Sequence, residues 1–441
     1  MPTPGTDPRD PRTVCLISAV NPYPARAGKS VVLAGFVAYW SERIGADNVH
    51  YVLVDADEPD LAGFECRVHQ VAPPRRSETL RALATRTLTG RAPIQESLLR
   101  GRSLRDALAR SLAEIGPDLV VFDTVRLGQY ARWLPQPLGQ QRLIYLDDLM
   151  SERYRTMLAA GRRHRDIRYD ALGNFARFVP GPVQPIVNQP LVQRALLRLE
   201  ARLMARSEDS AARDFTGSLL INTEESELLR ERAGSDRVRT APPAIAAPSA
   251  ERSWAGEPTL VCLGDLVLPH NDDGVRWFLT HCMADLTAAL PGVRVRIIGK
   301  GARPDLVELA ARFGNVSVEG YVEDLDAALG SAAAMLAPMR FGSGIKIKIV
   351  EAGGRGLPVV TSGVGAHGIG AGEGEGLVVA ETPAEFVAGA VAVCDPETNA
   401  RLSAAALGNY AARFAPAAVA KAYAAAFDIA GERRQPNQAT A

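Results

Sequence analysis

Short apolar runs alternate with longer helix-like segments along almost the whole chain. In the first half, the apolar runs are Val14 to Val20, Tyr51 to Asp55, Leu119 to Asp123, Leu143 to Asp147 and Ser218 to Asn222. Runs of this kind, each followed by a helical pattern, are typical of strands buried on both faces of a parallel sheet. The alternation therefore predicts an α/β protein in which helices cover parallel sheets.

The chain is long enough for more than one such domain. Its 441 residues correspond to two domains of about 200 residues each. The stretch 238–258, VRTAPPAIAAPSAERSWAGEP, is rich in Pro and Ala and has no periodicity, which is typical of a linker. The expected divisions are a disordered N-terminus (1–11), a first domain (12–237), the linker (238–258), a second domain (259–416), a closing helix (417–432) and a disordered tail (433–441).

Composition excludes several classes of protein. The formal net charge is zero, so the whole chain is not built to attract polyanions. The five cysteines are scattered without C-x-x-C spacing and predict reduced thiols instead of a disulfide framework or a metal site. The N-terminus lacks an apolar signal-peptide core, and no run of 18 apolar residues occurs. We therefore expect a cytoplasmic protein without a membrane span.

A glycine-rich loop leads directly into a short amphipathic helix in the segment 341–360, FGSGIKIKIVEAGGRGLPVV. Gly342 and Gly344 lack a Cβ atom, so backbone N–H groups there can approach phosphate oxygens closely. The helix N-terminus adds free N–H donors and a partial positive charge. Glu351 follows Gly344 by seven residues, which is two turns and about 10 Å along the axis. This spacing suits a nucleoside diphosphate with its ribose at Glu351, and it equally suits a helix with a solvated Lys348–Glu351 pair.

A longer series of matching residues around this loop favours the nucleoside diphosphate site over the solvated helix. The chain resembles the retaining family 4 glycosyltransferases of GT-B fold, and the matching residues are Pro338, Arg340, Gly342 to Gly344, Lys346, Lys348, Glu351, Ala352, Gly356, Pro358 to Thr361, Gly365, Ala366 and Gly368. Leu260 to Gly264 resembles the opening strand of the family's nucleotide domain, and Val318 to Val322 a later block. The resemblance is strong from about residue 259 to 370 and diffuse before that.

The resemblance implies two Rossmann-like domains that face a central cleft, and a sugar transferred from a nucleotide-diphosphate donor to a hydroxyl. It also implies retention of the anomeric configuration, with no essential metal and no cofactor. The acceptor class stays open among glycans, lipid-linked molecules and small molecules. The implied diphosphate contacts are Gly342, Ser343, Gly344, Ile345, Lys346 and, from the first domain, Gly28. The implied nucleoside contacts are Glu351, Tyr321 and Val322, and Lys346 is assigned a catalytic role in stabilising the leaving diphosphate.

Two departures from the family pattern affect the expected chemistry. Many relatives carry two glutamates spaced E-x7-E, and Ser343 occupies the first position here. Asp265 stands where the family has an arginine, so the positive charge must come from Lys346, Lys348 and Arg340. These departures motivate an alternative function, a non-catalytic GT-B homologue that binds a nucleotide or a partner enzyme.

The loop after the first apolar run contains AGKS at residues 27–30, which is similar to the end of a P-loop. Tyr23 replaces the first glycine of that motif, and Pro22 and Pro24 remove N–H donors that a phosphate cradle needs. An NTPase is therefore disfavoured. Gly28 and Lys29 either approach the ligand or form a helix start with an exposed lysine.

Aspartates end two of the apolar runs in the first half. Parallel strands place their carboxyl ends at the ligand crevice. Asp123 ends one run, and Asp147 and Asp148 end another. Asp148 is favoured as a second catalytic residue that orients or deprotonates the acceptor hydroxyl, whereas Asp147 is favoured as the N-cap of the next helix.

The segment 151–206 carries eleven arginines against four acidic residues and surrounds an apolar stretch, Phe175 to Pro190. For this segment, a solvated helical face is favoured. The alternative is peripheral contact with an anionic membrane, and in that case the cytoplasmic protein would be membrane-associated. Nucleic-acid binding is not expected, because aromatic residues do not interleave with the arginines.

Overall fold

The computed structural model describes residues 10–25, 28–55, 61–163, 189–342, 344–370 and 372–428. The chain divides into two compact units. Unit 1 contains the described residues of 10–155, 189–244 and 419–428, and unit 2 those of 156–163 and 245–418.

A parallel sheet forms the centre of unit 1, with the described strands in the order β3-β2-β1-β4-β5-β6-β7. The strands are β1 (Val14–Ser18), β2 (Val49–Val54), β3 (Arg67–Val71), β4 (Leu119–Asp123), β5 (Gln141–Asp147), β6 (Gly217–Leu220) and β7 (Val238–Thr240). The helices that begin in this part of the chain are α1 (Gly28–Ile44), α2 (Arg76–Ala82), α3 (Ile94–Leu98), α4 (Arg102–Ile115), α5 (Thr124–Gly128), α6 (Met150–Arg163), α7 (Pro190–Asp214) and α8 (Thr223–Ala233). Every residue of β1, β2 and β4 is buried, as the continuous apolar runs predict.

Unit 2 repeats this plan with the described strands in the order β10-β9-β8-β11-β12-β13. The strands are β8 (Thr259–Leu263), β9 (Arg294–Ile298), β10 (Val316–Gly320), β11 (Ala334–Ala337), β12 (Val359–Thr361) and β13 (Leu377–Val379). The helices are α9 (Pro269–His281), α10 (Met283–Ala289), α11 (Pro304–Ala310), α12 (Leu325–Gly330), α13 (Ile347–Gly354), α14 (Gly363–Ala366), α15 (Pro383–Ala392), α16 (Pro396–Arg413) and α17 (Pro416–Phe427). In each sheet the strand order reverses at its first strand, between β1 and β4 and between β8 and β11, where α/β proteins hold their ligands.

The division between the two units lies within the expected linker, but part of that linker is a strand. The first residues of the expected linker form β7, which pairs in parallel with β6, and the division between the units falls at Ala244. Three residues with one buried position are too short for periodicity to reveal. The expected disordered ends lie largely outside the described residues, although Asp10 is described and pairs with Arg43 at 2.9 Å.

The closing helix α17 joins unit 1 although the chain reaches it from unit 2. Its Tyr423 and Phe427 rings lie 5.0 and 5.3 Å from the ring of Phe36 on α1, in edge-to-face geometry. Trp40 contacts Phe427 with centroids 5.1 Å apart. Aromatic pairs in this geometry add about 0.5–1.5 kcal/mol each beyond the burial of their area, so this cluster fixes α17 on α1.

Among the residues that the structure describes, no helix combines the length and the apolar character needed to cross a bilayer.

Candidate functional site

The glycine-rich loop, residues 341–346, follows β11 and leads into α13 at the carboxyl edge of the second sheet. Gly344 has φ of 63°, a left-handed conformation that other residues adopt only at a cost. Lys346 is the N-cap of α13, because the helix begins at Ile347. Its side chain is 8% exposed, and Nζ donates a hydrogen bond to the Gly344 carbonyl at 2.7 Å. The loop thus holds an ammonium group beside the free N–H groups of a helix start. Ser343 lies outside the described residues.

Lys348 brings a second ammonium group to the same edge. Its Nζ donates to the carbonyl of Leu263 at 2.9 Å and to Oδ1 of Asn271 at 2.8 Å. Leu263 is the last residue of β8, the strand beside β11. Burial lowers the pKa of Lys348 to about 8, a shift that the nearby Cys262 thiol opposes. A lysine with this pKa gains charge readily when an anion binds beside it.

Glu351 lies one turn further along α13, on a partly exposed part of the helix. Burial raises the pKa of its carboxyl group, and the neighbouring Arg355 opposes that shift. Arg355 itself pairs with Asp326 and donates to the backbone carbonyl of Glu351. Within the described residues no hydrogen bond to the Glu351 carboxylate is found, so its oxygens can accept hydrogen bonds from a ligand.

Asp265, the departure from the family pattern, forms an ion pair with a neighbouring loop. Its Oδ2 lies 3.4 Å from Nζ of Lys300, whose side chain is 69% exposed. Lys300 follows β9 in the sequence Gly299-Lys300-Gly301, and its carbonyl accepts a hydrogen bond from Leu266. A Cβ atom on Gly299 would lie 1.8 Å from the carbonyl oxygen of Gly264, so only glycine permits this contact. The loops after β8 and β9 therefore place the ammonium group of Lys300 beside Asp265, the position at which the sequence alone shows a carboxylate.

Arg340, expected to contribute charge to the diphosphate, is held by a carboxylate. Its Nε donates to Oδ2 of Asp273 at 2.8 Å, and Nη2 lies 2.5 Å from Oδ1. The two side chains are only 10% and 17% exposed. This bidentate pair anchors the approach to the glycine-rich loop on α9.

Tyr321 and Val322, the expected base contacts, follow the edge strand β10. The Tyr321 side chain is 67% exposed, and Gly320 before it has φ of 70°. The Gly320 carbonyl accepts a hydrogen bond from Gly299 at 2.7 Å, which ties this turn to the loop of Lys300. The exposed ring leaves a face on which a base can stack.

In unit 1, a polar cluster lies at the carboxyl ends of the paired strands β1 and β4, where the strand order of the sheet reverses. Asp123 at the end of β4 is 2% exposed and accepts a hydrogen bond from Ser18 Oγ at 2.7 Å. Lys29 Nζ lies 2.5 Å from the other carboxylate oxygen, and the Lys29 side chain is 18% exposed. Lys29 is therefore not the exposed lysine of a bare helix start, since its charge is neutralised by Asp123. Gly28 begins α1 beside it.

The neighbouring strand β5 ends on Asp147, a residue that is partly exposed. Burial raises its pKa to about 6, with Asp148 adding to the shift and Lys29 opposing it. Tyr145 Oη donates to Asp147 Oδ1 at 2.8 Å. Asp147 has φ of 71°; within the described residues, Thr124 after β4 is the other non-glycine residue with positive φ. Strained backbone of this kind concentrates at functional sites.

In the described part of the chain, no hydrogen bond joins Asp147 to the start of the following helix. α6 begins at Met150; the N–H of Leu149, just before the helix, donates to Glu225, and the N–H of Ser151, in its first turn, donates to Glu208. Asp148 is buried and binds Arg153 at 2.6 Å. The N-cap expectation for Asp147 is therefore wrong, because the chain makes a left-handed turn there before the helix starts.

The arginine-rich segment 151–206 is described only at 151–163 and 189–206. On α7, Arg198, Arg202 and Arg206 are exposed. A solvated face accounts for these three. The apolar stretch that was expected between the basic helices lies almost wholly outside the described residues.

No cluster of three or more His, Cys, Asp or Glu side chains that could hold a metal ion occurs in the described part of the chain. The cationic groups at the glycine-rich loop are instead Lys346 and Lys348.

The two sheets, each with a ligand edge at its reversal of strand order, define the GT-B glycosyltransferase fold. Sucrose-phosphate synthase from Thermosynechococcus elongatus superposes with a TM-score of 0.65 over 96% of this chain and 99% of its own, at 15% identity. Anabaena Alr3699/HepE, solved in complex with UDP, gives 0.61 over 94% and 98% at 14% identity. The lipopolysaccharide outer core galactosyltransferase WaaB gives 0.58 over the same shares, also at 14% identity.

One part of the chain is similar in sequence to a known family. Residues 257–395 match the model of the family described as Glycosyl transferases group 1, and they include the glycine-rich loop and α13. An uncharacterized 44.6 kDa protein in the cps region of Klebsiella pneumoniae is 26% identical over 131 residues. That match covers 28% of this chain and 34% of the relative, so the chain spans about a third of that relative's length.

Sequence reasoning missed two partners in the second unit. Asn271 holds Lys348 across 77 residues of chain, and no spacing in the sequence indicates such a contact. Lys300 had a usable signal, because it follows an apolar run directly and so must lie at the carboxyl edge of the sheet.

Proposed function

We propose that this protein transfers a sugar from a nucleotide-diphosphate donor to an acceptor hydroxyl, with retention of configuration and without an essential metal. The observation that carries the proposal is the convergence of Lys346, Lys348 and the α13 N-terminus at one edge of the second sheet. This edge belongs to the residues that match the group 1 glycosyl transferases. The UDP and UDP-glucose complexes of Alr3699/HepE make uridine diphosphate sugars the first donors to test.

The chemistry follows from where charge develops. As the glycosidic bond to the diphosphate breaks, negative charge accumulates on the leaving phosphate oxygens. Fixed N–H donors and an ammonium group aimed at those oxygens stabilise the transition state without reorganisation. The N-terminus of α13 supplies the N–H groups, and Lys346 supplies the ammonium.

On the acceptor side, the structure favours Asp147 over Asp148 for contact with a hydroxyl. Asp148 is engaged by Arg153, whereas Asp147 is partly exposed and its carboxyl pKa is raised to about 6. A carboxylate with that pKa can accept a proton near neutral pH. We place the acceptor hydroxyl at the Asp147 edge and assign Asp148 to positioning through Arg153.

The proposal is tested by incubating the purified protein with a panel of UDP-, GDP- and TDP-sugars and measuring melting temperature and nucleotide release. We expect at least one donor to raise the melting temperature and to be consumed slowly by transfer or hydrolysis. Binding without any turnover, across a broad panel of acceptors, would favour the alternative of a non-catalytic homologue, for which Asp265 in place of a family arginine is the supporting observation.

Replacing Glu351 with alanine should weaken nucleotide binding by about 1–3 kcal/mol, the range for losing a hydrogen bond to a charged group. Its carboxylate oxygens are the acceptors available for the ribose hydroxyls on this helix. Calorimetric titration with the nucleoside diphosphate measures the effect, and Glu308→Ala, on an exposed part of α11, is the matched control. Unchanged affinity in Glu351→Ala would show that the ribose binds elsewhere.

Nucleotide affinity should fall as the pH rises through about 8, where Lys348 loses its proton. The folded-state pKa of this lysine lies below its ordinary value, so the ligand-free fold gains stability from its deprotonation between about pH 8 and 10. Ligand affinity and fold stability should therefore change in opposite directions in this window. Titrations at pH 7, 8 and 9 test this, and Lys348→Met should remove the pH dependence of binding. A flat profile in the parent protein would contradict the assignment.

Activity should survive EDTA, because protein groups supply the positive charge at the diphosphate. The control adds Mg²⁺ or Mn²⁺ back to the treated protein. Activity that is abolished by EDTA and restored by either ion would overturn the metal-independent mechanism.

A further inference from the structure

Three arginines from separate segments of unit 1 lie close enough to the buried carboxyl group of Glu96 to act on it electrostatically. Arg86 lies in the helical turn Leu83–Thr87, Arg100 follows α3, and Arg132 lies in the short turn after α5. Each acts electrostatically on Glu96, which is 9% exposed. Burial raises the pKa of that carboxyl group, whereas a hydrogen bond from the Ser207 side chain and the three arginines oppose the shift.

Trp133 organises two of these arginines. The guanidinium carbons of Arg100 and Arg132 lie 4.3 and 4.2 Å from its ring centroid. Both distances are well within the range of a cation–π contact. Arg100 Nη1 also donates to Oε1 of Gln129 at 3.0 Å, and Gln129 in turn donates to the backbone carbonyl of Glu96 at 2.8 Å. The Trp133 ring, together with Gln129 for Arg100, thus orients the guanidinium groups of Arg100 and Arg132.

The guanidinium groups of the cluster also act on one another, and the buried carboxyl group of Glu200 lies near Glu96. Burial lowers the pKa of Arg100, and the proximity of Arg86 and Arg132 lowers it further. The Nε–H of Arg86 is buried and has no hydrogen-bond partner within the described residues. A buried donor without a partner costs about 1–3 kcal/mol, and such groups in native proteins call for an explanation such as a bound ion.

We propose that Arg86, Arg100 and Arg132 form a binding site for the phosphate group of a ligand. Guanidinium groups match phosphate oxygens in bidentate geometry, and a phosphate group would also give the buried Nε–H of Arg86 an acceptor. The site belongs to unit 1, whereas the glycine-rich loop belongs to unit 2. It is a second anion site that the proposed sugar transfer does not require, and its test does not use transferase activity.

Trp133 provides the measurement, because its ring is 38% exposed and contacts two of the three arginines. The full-length protein is titrated with inorganic phosphate against sodium chloride of equal ionic strength, and tryptophan emission is recorded. Subtracting the emission of Trp133→Phe isolates the signal of this residue. We expect a saturable change with phosphate and none with chloride.

The variants are Arg86→Gln and Arg100→Gln, with Arg110→Gln, an exposed arginine on α4, as the matched loss of one positive charge. We expect roughly tenfold to a hundredfold weaker phosphate binding in the first two and parent-like binding in the control. Far-ultraviolet circular dichroism checks folding, and Arg132→Gln, at an exposed position, substitutes for a variant that fails to fold. The proposal is overturned if phosphate gives no response or the same response as chloride. It is also overturned if parent-like phosphate binding persists in the folded Arg86, Arg100 and Arg132 variants.

Two further arms distinguish the source of the phosphate group. Vesicles of phosphatidylcholine alone, and vesicles that also contain an anionic phospholipid, are compared with glucose 1-phosphate. A stronger arginine-dependent response to the anionic vesicles assigns the site to a lipid headgroup, and a stronger response to the sugar phosphate assigns it to a soluble ligand.

Discussion

Replacing Lys346 with alanine is expected to lower turnover about 100-fold to 1000-fold at saturating donor and acceptor, the range for losing one donor at a site of developing charge. The Lys346 ammonium is held against the Gly344 carbonyl beside the start of α13. The leaving phosphate would bind at this position, so the loss falls mainly on the chemical step.

The same substitution should change the free energy of unfolding by less than about 1 kcal/mol. Losing the hydrogen bond to Gly344 is unfavourable, but a positive charge at a helix N-terminus is itself unfavourable without an anion, and the two effects oppose each other. The control is Lys421→Ala, an exposed lysine on α17. Equal turnover in the parent and in Lys346→Ala would remove Lys346 from the mechanism, whereas a large loss of stability would assign it a structural role.

Replacing Arg340 with methionine should destabilise the protein by about 3 kcal/mol, because it leaves the largely buried carboxylate of Asp273 without its partner. Asp273→Asn should cost less, since the neutral amide needs less compensation. The double variant should cost clearly less than the sum of the two single variants. Urea unfolding of the four proteins measures these differences.

The matched control for this cycle is Arg303→Met. Arg303 is 62% exposed and pairs with Asp272 and Asp305 at 3.2 and 3.5 Å. The Arg303 guanidinium is mostly solvated, and Asp272 keeps Arg276 as its partner in the variant, so the control should lie within about 1 kcal/mol of the parent. Similar losses in Arg340→Met and Arg303→Met would mean that the Arg340–Asp273 pair contributes no more than a surface contact.

The architecture could be predicted because strands that are buried on both faces of a parallel sheet appear in the sequence as continuous apolar runs. Leu119–Asp123 is apolar, fully buried and bounded as expected, and Val49–Val54 begins only two residues early. β3, with the sequence RVHQV, was missed because an edge strand needs no apolar face, and four of its five residues are partly or fully exposed. The GT-B fold was predicted from the resemblance of about residues 259–370 to family 4 glycosyltransferases.

What the sequence by itself determined is the set of residues that a local conformation requires: the glycines of the loop, the helix after it and the buried strands. Tertiary structure alone decided which charges remain for a ligand. Arg340 and Lys29 looked available but are paired with Asp273 and Asp123, and Lys348 is held by a residue 77 positions away. Pairing of charges depends on distances across the sheet, and no local pattern encodes those distances.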